Sequence, residues 1–192
     1  NACLSPEDIT AHEDAFRDAA VLLLQLESPL TSVARAMELA QKHNVRIVLN
    51  PAPAQTLAPS LLTCVDYLVP NRTELVTLAD VTPDTPVPDA VDRLRTMGAN
   101  SVIVTLGEEG VLVCDDDRKT ALASHPVSVV DATAAGDAFI GAFGVALLER
   151  QSVLEAARFG NAAGAITVSR AGAQPSLPVR AEVEQLLHGA GN

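Results

Sequence analysis

Four short runs that are apolar at nearly every position constrain this chain more than anything else in it. Val21–Leu26 (VLLLQL), Val45–Leu49 (VRIVL), Val65–Val69 and Ser101–Thr105 (SVIVT) are each of strand length. A strand apolar on both sides must be covered on both sides, which is the habit of parallel sheets. Helical patterns separate the runs. Leu30, Val33, Ala34, Met37 and Ala40 recur at the spacing of one helix face, ended by Asn44, and a second helix over about 89–97 stops at Gly98. Ser5-Pro6-Glu7-Asp8 reads as a helix start, with Ser as cap and Pro in the first turn. Alternating strands and helices predict an α/β fold with a mostly parallel sheet and helices on both faces.

After Gly107 the pattern changes. Val111–Cys114, the acidic turn Asp115-Asp116-Asp117 and Lys119–Ala123 read as a hairpin. Helices follow at about 137–148, after the capping box Ser152…Glu155, and at about 181–187. The Pro-rich stretch Thr82–Pro88 is a stiff connection, too short to link domains, and no repeat interrupts the chain. At 192 residues the expectation is one domain over 1–192.

Composition removes several classes of function. The net charge is −11 with a pI near 4.6, which disfavours nucleic acid and anionic membranes as partners. Apolar residues make up 48%, too many for a disordered segment. Cys3, Cys64 and Cys114 are far apart with no CxxC pair, so reduced thiols and a cytoplasmic location are expected, with Cys64 and Cys114 filling the core. His12, His43, His125 and His188 lack metal-ligand spacing and read as surface residues.

Ligands of open α/β sheets bind at the carboxyl ends of the strands, and three segments suit that edge. In Val129-Val130-Asp131-Ala132-Thr133-Ala134-Ala135-Gly136-Asp137 small residues run straight into a helix. Unpaired N–H groups at such a start can surround a phosphate, and the helix dipole favours the negative charge of Asp137. A carboxylate there suits the acceptor of a hydroxyl proton in phosphoryl transfer; it equally reads as an ordinary capping Asp. Thr105-Leu106-Gly107-Glu108-Glu109-Gly110 follows a strand and could let backbone approach a nucleotide, or be a plain glycine-rich turn. Asn71 and Glu74 in Val69-Pro70-Asn71-Arg72-Thr73-Glu74 could reach phosphates or magnesium, or simply cap a helix.

Together these segments resemble a known family. VVDATAAGDAF matches the C-terminal signature of the ribokinase family of carbohydrate kinases (the phosphofructokinase-B group). LLQLESP, LNPAPA, PNRTE, VTLGEEG and NAAGAITVSRAGAQPSLP follow the ribokinase branch in order, from Asn1 to about Leu187. The resemblance implies a three-layer, doubly wound sheet. It also implies ATP-dependent phosphorylation of D-ribose at O5, with Asp137 as base and substrate contact and Ala134, Ala135 and Gly136 as anion hole. Many members carry Gly where Ala134 stands; because Ala keeps its N–H, the exchange is expected to cost little. By the same resemblance Glu27 contacts ribose. Asn71, Thr105, Leu106, Gly107, Glu108, Glu109, Gly110, Gly136, Asp137 and Asn161 contact the nucleotide, and Glu74 lies near magnesium and acts through water. Without it, Glu27 is a solvated acid at a strand end.

A monovalent-cation site, with K+ as activator, is implied at Asp131, Thr133, Thr167, Arg170, Gly172 and Ser176, mostly through backbone carbonyls. Read alone, Arg170 and Gly172 are the charge and stop at a helix end. The family also begins with strands, a di-glycine substrate motif and a β-sheet lid that often forms a homodimer, and none of these is in the sequence. The expectation is therefore a chain incomplete at its N-terminus and inactive alone. A kinase for another sugar or nucleoside, and a non-catalytic nucleotide-binding remnant, are the alternatives.

Overall fold

A computed structural model describes residues 1–149 and 151–189. Its elements are α1 (Pro6–Ala11), α2 (Asp14–Arg17), β1 (Val21–Leu24), α3 (Leu30–Lys42), β2 (Arg46–Leu49), α4 (Pro59–Leu62), β3 (Tyr67–Leu68), α5 (Arg72–Ala79), α6 (Val87–Thr96), β4 (Ser101–Thr105), β5 (Val111–Asp115), β6 (Arg118–Leu122), α7 (Ala135–Leu148), α8 (Val153–Val168) and α9 (Arg180–Gly189). Six strands are hydrogen-bonded in sequence order, β1 to β6. Residues group into two compact units, Asn1–Val104 with Cys114–Lys119, and Thr105–Val113 with Thr120–Asn192.

In the first unit β1, β2, β3 and β4 are all parallel neighbours, with Val21 beside Arg46, Val48 beside Tyr67 and Tyr67 beside Ser101. Parallel neighbours need a crossover between them, and α3, α4, and α5 with α6 lie in the three connections. The apolar runs form the core as their patterning demands. Ile47, Val48, Leu49, Val102, Ile103 and Val104 are at most 1% exposed. The apolar stripe of α3 buries Val33, Met37 and Ala40, as its spacing predicts. Ser5 and Asp8 form a reciprocal capping box at α1. The run 65–69 is shorter as a strand than its sequence suggests, because Asp66 replaces part of the ladder: its Oδ2 accepts the Ile47 N–H at 2.7 Å. Pro88 lies in the first turn of α6, so the Pro-rich connection continues directly into a helix.

In the second unit α7 and α8 pack closely. A Cβ on Gly160 would sit 3.0 Å from the backbone oxygen and ring of Phe139, so its absence sets the spacing of the pair. Buried Ala156, Ala157, Ala162 and Ala163 continue the small surface of α8, and the Phe139 and Phe143 rings stack with centroids 6.1 Å apart on α7. Helix α9 is anchored by buried Val183 and by Arg180, which bridges Glu149 and Glu184 and lies 5.7 Å from the centre of the Phe159 ring.

Cys114 is buried, and burial pushes its thiol up to about 11. Cys64 is only half-buried, with Sγ directed at the Ser60 carbonyl, so it does not fill the core as the sequence suggests. His43 is similarly not a free surface residue: its ring and Lys42 both meet the Glu13 carboxylate. His125 is also half-buried, and desolvation lowers its pKa. Among the described residues no helix is long and apolar enough to cross a membrane.

Gly110 gives the sharpest test of this packing. It has φ +92°, and a Cβ there would lie 2.0 Å from the Leu122 carbonyl oxygen. Gly110→Ala should destabilise the protein by about 3 kcal/mol through combined strain and overlap. A denaturant midpoint close to wild type would contradict the backbone path.

Candidate functional site

The segment before α7 is held from one carboxylate. Asp131 Oδ1 accepts the Thr133 N–H and Oδ2 accepts the Gly172 N–H, both at 2.9 Å. Hydrogen bonds from Thr133, then from Gly172, hold its carboxyl well below the usual range, at about 2. Val130 and Asp131 also donate their N–H groups to the Val168 carbonyl. Residues 130–133 are thus pinned to the end of α8 and the turn beyond it.

From that support the chain turns into α7 through Ala134, at φ +62°, ψ +7°. The helix begins at Ala135, two residues before the sequence suggests, so Ala135, Gly136 and Asp137 are its first three residues. Ala135 donates weakly to Ala132, and the Ala138 N–H donates to the Ala134 carbonyl at 2.9 Å. A Cβ on Gly136 would meet nothing within 4 Å, so the helix end opens on free space. Asp137 is exposed beside it. N–H groups at the positive end of a 14-residue helix, with room in front of them, can receive an oxyanion. The expectation that Ala134 costs little needs correction. A left-handed backbone strains any residue with a Cβ, whatever its N–H can donate.

The six positions expected to hold a monovalent cation divide by role. Thr167 and Ser176 are fully buried, and their hydroxyls are spent on the Ala163 and Ala173 carbonyls. The Arg170 guanidinium pairs with Glu182. Gly172 adopts φ +91° and Thr133 is exposed. The Thr167 carbonyl accepts the Arg170 N–H, and both Asp131 oxygens are engaged by backbone N–H groups. Among the described residues no cluster of three or more His, Cys, Asp or Glu is placed to hold a metal.

The glycine-rich segment and Asn161 belong to the same unit. Gly107–Glu109 form a 3-10 turn, closed by a bond from Leu106 N–H to the Gly110 carbonyl. Ser124 Oγ donates to the Glu108 carbonyl at 2.6 Å, and Asn161 Nδ2 donates to the Ala123 carbonyl at 2.8 Å. Asn161 therefore supports the stretch that holds Thr105–Gly110. Ser124 carries no sequence signal of this role.

Asn71, Glu74 and Glu27 lie in the first unit. Asn71 and Glu74 form a full reciprocal capping box on α5, the simpler of their two sequence readings. The Glu74 carboxylate accepts from Asn71 N and Nδ2, both at 2.8 Å, and from Asn50 Nδ2 at 3.4 Å. It is 6% exposed, and burial pushes its carboxyl up against the opposing pull of those bonds. Both Glu74 oxygens are thus occupied by N–H donors within the box. Asn50 was not singled out by sequence, yet its amide also reaches the Val69 carbonyl and so ties the ends of β2 and β3. Glu27 lines a separate cavity of about 230 Å³ with Leu4, Leu23, Ser32 and Ala36.

Residues 1–180 match the pfkB family of carbohydrate kinases. The chain belongs to that family. It is 40% identical over 192 residues to a ribokinase of Haemophilus influenzae, covering 99% of this chain and 63% of the relative. The structure of a Thermotoga maritima ribokinase superposes with a TM-score of 0.87 at 38% identity, over 97% of this chain and 62% of that one. That of Arabidopsis thaliana ribokinase complexed with ribose and ATP also gives 0.87, at 32% identity, over 92% and 58%. The ribokinase-like α/β fold expected from the sequence is thereby borne out. The chain spans somewhat under two thirds of these relatives' length.

Two measurements probe the segment before α7. Ala134→Gly should raise stability by about 0.5–1 kcal/mol. It relieves roughly 1–2 kcal/mol of left-handed strain against about 0.4–1 kcal/mol of added freedom in the unfolded chain. Loss of stability would show that the strain is not there. The depressed Asp131 pKa contributes stability that is complete above the ordinary value of 3.8 and is lost as pH falls through about 2. The Gly172 amide resonance should follow that titration, and a midpoint near 4 would contradict the two bonds.

Proposed function

We propose that the whole protein phosphorylates D-ribose at O5 with ATP. The observation that carries this reading is the exposed Asp137 in the third position of α7, beside the open, Cβ-free backbone of Gly136. Family membership and the ribose and ATP in the Arabidopsis relative support it. Loss of Asp137 or Gly136 would favour a non-catalytic remnant, and both are present.

In this mechanism the N–H groups of Ala135 and Gly136 and the α7 dipole receive the γ-phosphoryl oxygens. Asp137 accepts the proton of the ribose hydroxyl as its oxygen bonds to phosphorus; the bond to the β-phosphate oxygen breaks and ADP leaves. Thr105–Gly110 with Asn161 contacts the nucleotide, and Glu27 contacts the sugar; the Asn71 side chain is held in the α5 capping box. Glu74 would address the magnesium of the nucleotide through water, and the metal would supply charge neutralisation of the phosphates. The Asp131 carboxylate and carbonyls of Thr133, Thr167, Arg170, Gly172 and Ser176 would hold potassium, which would supply positive charge to this part of the site.

Asp137→Asn in the full-length protein keeps the side-chain shape and removes the proton acceptor. Turnover with ribose should fall by roughly 10²–10⁴ while ATP binding is retained. Turnover within a factor of about three of wild type would sink the base assignment. Higher kcat/KM for another pentose or a nucleoside would move the substrate while leaving the base in place.

A further inference from the structure

Helix α9 carries a group that reaches the α7 approach without touching it. Glu182, in the first turn of α9, grips the Arg170 guanidinium with both oxygens, at 2.5 and 3.3 Å, and Oε2 also accepts the Val179 N–H at 2.9 Å. Arg170 begins the turn after α8 in which Gly172, at φ +91°, donates its N–H to Asp131. Asp131 in turn holds Thr133, one residue before the left-handed Ala134. A continuous series of bonds thus runs from α9 to the start of α7, all within one compact unit. The same first turn of α9 is also held by Arg180 on Glu149 and Phe159 and by Val183 in the core. Glu182 is therefore presented from a docked helix rather than from a loose tail.

We propose that Glu182 is a positioning residue for the α7 approach. Through Arg170 it sets the 170–172 turn, so that the Gly172 N–H meets Asp131 and the carbonyls around it keep a fixed spacing. Its bearing on potassium rests on the function proposed above; its bearing on the Gly172 and Thr133 amides does not. Both partners are a little over a third exposed, at 37% and 38%, so the effect is that of a modest ion pair rather than a buried one.

The test uses the full-length protein with Glu182→Gln, which keeps the size of the side chain and removes its charge. Amide hydrogen exchange at Gly172 and Thr133 should quicken by about 2–5-fold, the fold-change of an exposed ion pair, while amides in α3 and β4 are unchanged. Half-saturating potassium for turnover should rise by a similar factor at constant limiting kcat. The charge-swapped pair Arg170→Glu with Glu182→Arg should return exchange towards wild type, a rescue that mere loosening of α9 would not give. Unchanged exchange at Gly172 and Thr133 in Glu182→Gln overturns the proposal. Faster exchange together with a wild-type rate indifferent to potassium upholds Glu182 as a positioning residue and removes the cation from the proposed function.

Discussion

Two hydrogen bonds from backbone N–H groups to one carboxylate, Asp131, govern the part of this molecule where chemistry is proposed. The bond from Thr133 is local, and the one from Gly172 joins Asp131 to a segment 41 residues away in sequence. A carboxylate is suited to that junction because it can accept from both directions at once, and each bond to an ionised acceptor is stronger than a neutral one. The left-handed turn at Ala134 follows immediately. Strain of that kind persists only where its surroundings over-determine the backbone, and the Asp131 junction supplies the constraint.

The helices behind that junction are built to keep it still. Gly160 lets α8 approach α7 at Phe139, and the alanines around it leave few long side chains that could shift between rotamers. A start of α7 defined by a rigid helix pair presents its N–H groups in one orientation, which electrostatic stabilisation of an oxyanion requires. In the first unit the same economy serves a different end. Asn50, Asn71 and Glu74 satisfy one another in a tight box, so a buried carboxylate is tolerated without a cation beside it.

How much of this the sequence discloses depends on whether a feature is local. Apolar runs and i, i+3, i+4 spacing place β1, α3, β2 and β4, because burial on a strand or helix face is written in nearest neighbours. Capping boxes at Ser5, Asn71 and Ser152 are equally visible, since both partners lie three residues apart. The signature around Asp137 is legible as a helix start, and family resemblance adds its role. What does not show is any contact made across sequence: Asn50 to Val69, Ser124 to Glu108, and Arg170 to Glu182 are ordinary polar residues until the fold joins them. The sign of φ at Ala134 is hidden for another reason. Alanine carries no hint of a left-handed backbone.

Gly110 has a consequence for recombining this protein with its relatives. Its backbone lies so near Leu122, Ala123 and Ser124 that no side-chain atom fits between them, and Ser124 returns a bond to Glu108. The glycine-rich turn and the stretch after β6 are therefore a single piece of surface, though a dozen residues separate them. A chimera that imports 105–110 from another kinase must bring 122–124 with it, and a crossover placed between them would divide a structural unit that the chain order conceals.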